Sequence, residues 1–300
     1  MVEAKHLRCS SLIILAGTVV GQAIGYAYSV AAARIAGPMA YGQFALVFSL
    51  ISIATEFATL GLGRSVVRFV GMYAVSRKAA HLRGTVSVLG VFLTFTSVCV
   101  ALIVALLAPV LASRYLYDES LINVVRISAW LVPLIVLTHF VLDLLRGLRM
   151  AEYRTYVESF VQKPLRMALL PTIGPTSTPL VQLIMIEVAT SVTGLLVAIG
   201  FLRRKFKPLI AGSGMVVPLK DILRFSLPMV PASLLTAFGN QTETLILGLL
   251  GYTIEAGMLN AALRTASFGS IVLLAFNSNF APLISGLRET GELASLAMLF

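Results

Sequence analysis

The sequence predicts an all-α integral membrane protein, a multi-pass helical bundle of about eight transmembrane helices. Of the 300 residues, 58% are hydrophobic and only 12% are charged, whereas soluble domains carry about twice that charged fraction. Uncharged runs long enough to cross a bilayer recur along the chain. Basic residues cluster in alternate connections between these runs. We expect a six-helix N-terminal lobe, followed by the first two helices of a second, pseudo-symmetric lobe.

The spans follow from uncharged length and from the residues that flank each run. The first contains 23 uncharged residues from Ser11 to Ala33, more than the core of a signal peptide, so we expect it to be retained. The fifth, here named span five, is the most polar because it holds Glu158, Lys163 and Arg166. The predicted spans are 11–36, 40–63, 84–112, 121–145, 155–173, 179–202, 222–249 and 256–287.

The predicted domains follow from this order of spans. Residues 1–205 form the N-terminal lobe, 206–221 a cytoplasmic linker and 222–300 the start of the C-terminal lobe. Two similar segments, 34–46 and 247–263, each pair a small-residue turn with a glycine that opens the next helix. Their recurrence after six spans predicts two six-helix halves. On this interpretation the second half is truncated after two helices.

The distribution of Lys and Arg predicts the orientation of the chain. Basic residues precede the first span and follow the second, fourth and sixth, whereas the other connections contain one Arg between them. Positive connections stay on the cytoplasmic side, so the N-terminus is expected there. The net charge of +10 is thus explained by topology, and nucleic acid is not an expected partner. The longer basic connection at 64–83 predicts an amphipathic surface helix.

Three glycines in the first span share one helical face. Gly17, Gly21 and Gly25 recur at four-residue intervals, which lets another helix backbone approach closely. Tight packing is one interpretation of this face, and sliding during gating is the other.

Charged residues within the last two spans predict an ion pair. An acid inside a bilayer costs roughly 2–3 kcal/mol or more, so Glu243 needs a partner. Glu243 and Arg264 lie at similar distances from the turn between their antiparallel helices. Asn240 and Asn260 fall on the same polar faces. The predicted pair either fixes helix register or forms a cavity wall that meets a charged substrate group.

Cations in the first six spans suit an anionic ligand. Lys163 and Arg166 lie one turn apart in span five, which predicts a helix that lines water rather than lipid. Arg34, near the outer end of the first span, is either a snorkelling anchor or a cavity cation. An excess of cations facing a cavity favours a phosphate or pyrophosphate. No metal, nucleotide or redox motif occurs, so neither a cofactor nor a metal is expected.

Two stretches carry a family resemblance. "AARIAGPMAYGQFALVFSLISIATEFATLGLGRSVVRF" and "LRFSLPMVPASLLTAFGNQTETLILGLLG", the latter followed by "EAGMLNAALRTASF", resemble the polysaccharide-biosynthesis flippases of the multidrug/oligosaccharidyl-lipid/polysaccharide exporter superfamily. The resemblance implies two lobes of twelve to fourteen helices around a central cavity. It maps the cavity cations and the acid of the seventh helix onto Arg34, Glu243 and Arg264. The sequence departs from that pattern in having Glu where Asp is common.

The resemblance implies transport rather than an enzymatic activity. Such proteins move undecaprenyl-pyrophosphate-linked oligosaccharides across the bacterial cytoplasmic membrane by alternating access, for polysaccharide or lipopolysaccharide O-antigen synthesis. Membrane lipids, a coupling proton or Na⁺, and polymerase and glycosyltransferase partners are further expectations. A cation-coupled multidrug exporter and a membrane glycan ligase or polymerase are the alternatives. The expected substrate-binding residues are Arg34, Lys163, Arg166, Asn240, Glu243, Asn260 and Arg264.

Overall fold

The chain folds as a helical, multi-pass membrane protein. The computed structural model describes residues 2–174, 178–206, 214–217 and 219–269, and no strand occurs within these ranges. Five helical spans in them are long and apolar enough to cross a membrane, and a bent helix pair supplies a sixth. The predicted all-α class is therefore confirmed.

Within the described ranges the chain forms thirteen α-helices, labelled in chain order, and three short 3₁₀ or π segments separate some of them. The α-helices are α1 Val2–Ala36, α2 Pro38–Thr59, α3 Leu62–Val75, α4 Ala79–Leu106, α5 Ala108–Arg114, α6 Ile122–Ala129, α7 Leu131–Gly147, α8 Glu152–Thr155, α9 Lys163–Leu169, α10 Pro179–Phe206, α11 Leu219–Ser226, α12 Met229–Leu249 and α13 at 253–269. The 3₁₀ turns are Glu119–Leu121 and Leu170–Thr172, and Tyr156–Gln162 is a π-helix.

Most predicted spans match these helices, with three differences. Span five is helical but is too polar to rank among the apolar spans. Span seven is broken into α11 and α12, which meet at an angle of 41°. The break lies beside Pro228, which lacks the amide hydrogen that a continuous helix would use. Of span eight, 270–287 lies outside the described residues, and the division into two lobes stays a prediction.

Helix α7 lies at the centre of the bundle, where it packs against α2, α3, α4 and α10. Its buried residues include Leu131, Val136 and Leu145. The predicted amphipathic surface helix at 64–83 is matched only in part, because α3 ends at Val75 and residues 79–83 belong to α4. Val66 and Phe69 are buried on the apolar side of α3. This side packs against α4 and α7. The apolar face of α3 is therefore covered by protein.

The connections that carry the basic residues lie together at one end of the bundle, here called the basic end. Arg64 Nη1 lies 3.6 Å from Met229 Sδ. The hydroxyls of Ser65 and Ser226 are 2.6 Å apart, which joins α3 to α11. The end of α2, the start of α3, the end of α11 and the start of α12 therefore lie on one side of the bundle.

The opposite end, here called the closed end, carries the turns at Gly37 and Gly251. Both glycines have a positive φ, 83° and 80°, which glycine adopts at little cost. They occupy equivalent places in the two repeated segments, which supports the predicted repeat. The segments also touch, since a Cβ on Gly257 would lie 2.8 Å from Gly42 Cα. Only residues without side chains allow this approach between α2 and α13.

Candidate functional site

The glycine face of α1 positions span five. A side chain at Gly17 would overlap Thr155, and a Cβ at Gly21 would lie 2.8 Å from Ser159 Cβ and 3.2 Å from Lys163 Nζ. The backbone of α1 therefore lies directly against span five. This geometry supports the tight-packing interpretation of the glycines. It also leaves the other side of span five facing the interior of the bundle.

The π-helix Tyr156–Gln162 determines which side chains face inward. A π-helix has a wider turn than an α-helix and often occurs at functional sites. Glu158 and Lys163, five residues apart, consequently line the same cavity together with Gln162. Span five thus directs its charged side chains into the bundle, as predicted from its polarity.

A polar cavity of about 360 Å³ lies among α2, α7, span five and α10. We call it the lobe cavity. Phe48 and Ile135 form apolar parts of its wall, and several hydroxyl groups line the remainder. Its charged and imidazole-bearing residues are Glu56, His139, Arg154, Glu158, Lys163 and Arg166. Of the predicted site residues, Lys163 and Arg166 therefore line this cavity.

A second cavity of about 320 Å³, here called the entrance cavity, adjoins the first at the basic end. The two cavities share Glu56, His139 and Arg154, so they form one polar path into the bundle. Helix α12 contributes Thr236 and Asn240 to the entrance cavity, opposite α2, α3 and α7. The predicted residue Asn240 is therefore part of this path.

Three ion pairs among the described residues neutralise the two arginines of the cavity wall. Arg154 Nε lies 2.8 Å from Glu158 Oε1, and Arg154 Nη1 lies 3.8 Å from Asp143 Oδ1. Arg166 Nη2 lies 2.8 Å from Glu187 Oε2, and the Glu187 side chain is only 3% exposed. The sequence interpretation gave no role to Glu187 or Asp143. The signal for Glu187 was its place inside an apolar span, which requires a cationic partner.

The predicted ion pair between Glu243 and Arg264 is wrong for this structure. Arg264 Nε instead donates to Asn260 Oδ1 at 3.3 Å, and Tyr41 Oη donates to the same atom at 3.4 Å. Glu243 is exposed and takes part in none of the ion pairs among the described residues.

The rotation of α12 explains why the pair does not form. Ala237, Thr244 and Gly248 are the buried residues of this helix, which packs along α2. Successive residues of an α-helix are turned by about 100°, so Glu243 lies to the side of the buried Thr244 and is exposed. Similar depth along two antiparallel helices therefore did not bring the side chains together.

Three of the predicted cations converge, and one does not. Arg264 and Arg166 both lie close enough to Lys163 for their charges to act on its ammonium group. Tyr28 on α1 is buried beside the same group of charges. Arg34 is exposed near the closed end and lines neither the lobe cavity nor the entrance cavity. Whether any of these residues binds substrate stays a prediction.

The match to a known family decides the identification. A family model described as "Polysaccharide biosynthesis protein" matches residues 7–287. The chain belongs to this family. Nothing among the curated proteins or the solved structures matches the chain. The chain therefore combines several membrane-spanning helices with a role in polysaccharide synthesis.

The site offers positive charges, carboxylates and hydroxyls in a confined polar space. Within the described ranges, no group of His, Cys, Asp and Glu residues could hold a metal ion. Such a wall can bind an anionic or hydroxyl-rich headgroup by charge-assisted and neutral hydrogen bonds. The family assignment supports the family-level resemblance seen in the sequence.

Proposed function

We propose that the protein is a flippase for an undecaprenyl-pyrophosphate-linked oligosaccharide, which it moves to the outer leaflet of the bacterial cytoplasmic membrane by alternating access. The glycan would serve polysaccharide or lipopolysaccharide O-antigen synthesis. The observation that carries this proposal is the polar path that begins at the basic end and ends inside the bundle. The positive-inside rule orients the basic end toward the cytoplasm, where the headgroup enters.

The contacts at the closed end support a state that opens toward the cytoplasm. Tyr117 Oη donates to the carbonyl oxygen of Leu249 at 2.6 Å, which fastens the α5–α6 connection to the end of α12. Gly248 packs against the Tyr115 ring, so α12 lies close to this connection. Transport requires these contacts to open while the basic end closes, as in the rocking of lobes around a central site.

The proposed binding step uses Arg264. This arginine attracts the pyrophosphate and is held in place by Asn260. Arg34 meets the headgroup as it leaves toward the outer leaflet. A proton or Na⁺ drives the cycle, and polymerase and glycosyltransferase partners handle the glycan before and after transport. Substrate must favour neither end state strongly, since the populations must shift between them.

A flipping assay with the purified protein in liposomes tests this proposal. Arg264→Ala should lower the rate of lipid-linked oligosaccharide flipping by about tenfold or more, because a hydrogen bond to a charged group contributes about 1.5–3 kcal/mol. Arg114→Ala is the matched control, since Arg114 is exposed and lies outside both cavities. Normal flipping by Arg264→Ala contradicts the assigned role of Arg264. Absence of flipping by the wild type, with transport of cationic drugs instead, favours the multidrug exporter.

A further inference from the structure

We propose that the lobe cavity is a carbohydrate subsite, which takes a neutral sugar unit of the glycan while the pyrophosphate remains outside it, near Arg264. This inference rests on the proposed flippase function and adds the part of the substrate that the cavity recognises. It is distinct from the binding of the pyrophosphate, which Arg264 serves.

The charges of the cavity wall favour a neutral ligand. Arg154 is neutralised by Glu158, and Arg166 is neutralised by Glu187. Of the acidic and basic residues that line the cavity, Lys163 and Glu56 therefore take part in no ion pair among the described residues. One positive and one negative charge cancel, so the wall lacks the excess of cations that a pyrophosphate requires.

The lining also presents both hydrogen-bond donors and acceptors, which suits a ligand with many hydroxyls. Glu56 accepts, and Lys163 donates. Ser52 and Thr138 donate their hydroxyl hydrogens to the carbonyls of Phe48 and Leu134, so their oxygens remain free to accept. These groups can pair with the hydroxyls of a sugar ring while the ring packs against the apolar wall.

The Gln162 amide adds a group that both donates and accepts. A side chain at Gly194 on α10 would overlap this amide, so the glycine makes room for it. The amide is thereby held between span five and α10 at the edge of the cavity. Amides of this kind fix the orientation of polar ligands in binding sites.

The size of the cavity fits a sugar better than an ion. Its volume of about 360 Å³ falls in the range of about 300–1,000 Å³ that small-molecule sites occupy. Water occupies about 30 Å³ per molecule, so the space holds roughly a dozen waters. A single coupling ion would leave most of this volume unfilled. The entrance cavity provides the route inward from the basic end, between α2 and α12.

The test compares binding of two lipids to the full chain in nanodiscs. One is undecaprenyl pyrophosphate, and the other is the same lipid carrying one neutral hexose or N-acetylhexosamine. Ser52→Met fills the cavity without a change of charge, and Glu56→Gln removes the acid with little change in shape. Thr94→Met is the matched control, because the exposed Thr94 hydroxyl also donates to a carbonyl four residues earlier. Thermal unfolding shows that each variant is folded.

The wild type and Thr94→Met should bind a sugar-bearing lipid at least tenfold more tightly than undecaprenyl pyrophosphate. Ser52→Met and Glu56→Gln should reduce this ratio toward one and leave the affinity for undecaprenyl pyrophosphate unchanged. The subsite is refuted if both variants keep the wild-type ratio of affinities, or if the wild type binds the two lipids equally tightly. It is also refuted if the two variants no longer bind undecaprenyl pyrophosphate. Binding of neither lipid by the wild type refutes the proposed function as well, and so differs from a failure of the subsite alone.

Discussion

The buried carboxylate of Glu187 shows what an acid inside an apolar helix requires. It lies in α10, and its partner Arg166 in α9 is turned toward the lobe cavity. The guanidinium also donates from Nε to Thr190 Oγ1 at 3.4 Å. Glu187 and Thr190 therefore hold Arg166 in a fixed orientation at the cavity wall. Burying the carboxylate is tolerated because this cation neutralises it.

Glu187→Gln should destabilise the protein by about 1–3 kcal/mol, because Arg166 loses its counter-charge while still partly shielded from water. The thermal unfolding midpoint in detergent measures this loss. Glu255→Gln, at an exposed position of α13, should leave the midpoint nearly unchanged. The double variant Glu187→Gln with Arg166→Gln should recover part of the loss, since no charge is then left unpaired. Equal midpoints for the two single variants would contradict a stabilising pair.

At the scale of elements, the packing of α1 on span five determines the shape of the site. The glycine face removes the side chains that would separate the two helices. Span five can then lie close to α1 while its charged residues face α2, α7 and α10 across the lobe cavity. The polarity of span five is thus accommodated within the bundle.

Gly21→Ala should destabilise this packing by about 1–3 kcal/mol, because the added methyl group overlaps Ser159 in a well-packed contact. Gly200→Ala in α10 is the matched control, since a Cβ there meets no atom within 4 Å. Alanine favours the helix over glycine, so the control should be neutral or slightly stabilising. Unfolding midpoints of the two variants in detergent provide the comparison. A Gly21→Ala protein as stable as the control would show that the helices do not need this close approach.

The sequence and the structure agree where one helix alone determines the outcome. Uncharged length predicted the apolar spans, and the polarity of span five predicted a helix that avoids lipid. Equal distance from the turn between the two helices did not bring Glu243 and Arg264 into contact. A helix is rotated about its axis so that its packing residues are buried, and in α12 these include Ala237 and Thr244. That rotation depends on the neighbouring helix and is not determined by spacing along the chain.

Two further features of the site depend on contacts between elements. The π-helix at Tyr156–Gln162 forms within a span that packs against both α1 and α10. The partner of Arg166 lies on another helix, so no local motif connects Arg166 to Glu187. Span polarity could identify span five as the site, but the cavity that it lines required the packed bundle.

At the scale of the whole molecule, the two ends of the bundle differ. The basic end contains the entrance cavity, whereas glycine contacts and the hydrogen bond from Tyr117 to Leu249 join the elements of the closed end. This asymmetry is what one half of an alternating-access cycle requires. We therefore predict that water and headgroups reach the lobe cavity from the cytoplasmic side.

Thiol labelling at the lobe cavity tests this claim most directly. Ser52→Cys, introduced after Cys9 and Cys99 are replaced by serine, should react with a membrane-impermeant thiol reagent applied to inside-out vesicles. It should react at least tenfold more slowly in right-side-out vesicles without substrate. Thr94→Cys, on the exposed face of α4, should stay unlabelled in both because lipid covers it. Labelling of Ser52→Cys from the outer side alone, or from neither side, would contradict a polar path that opens to the cytoplasm.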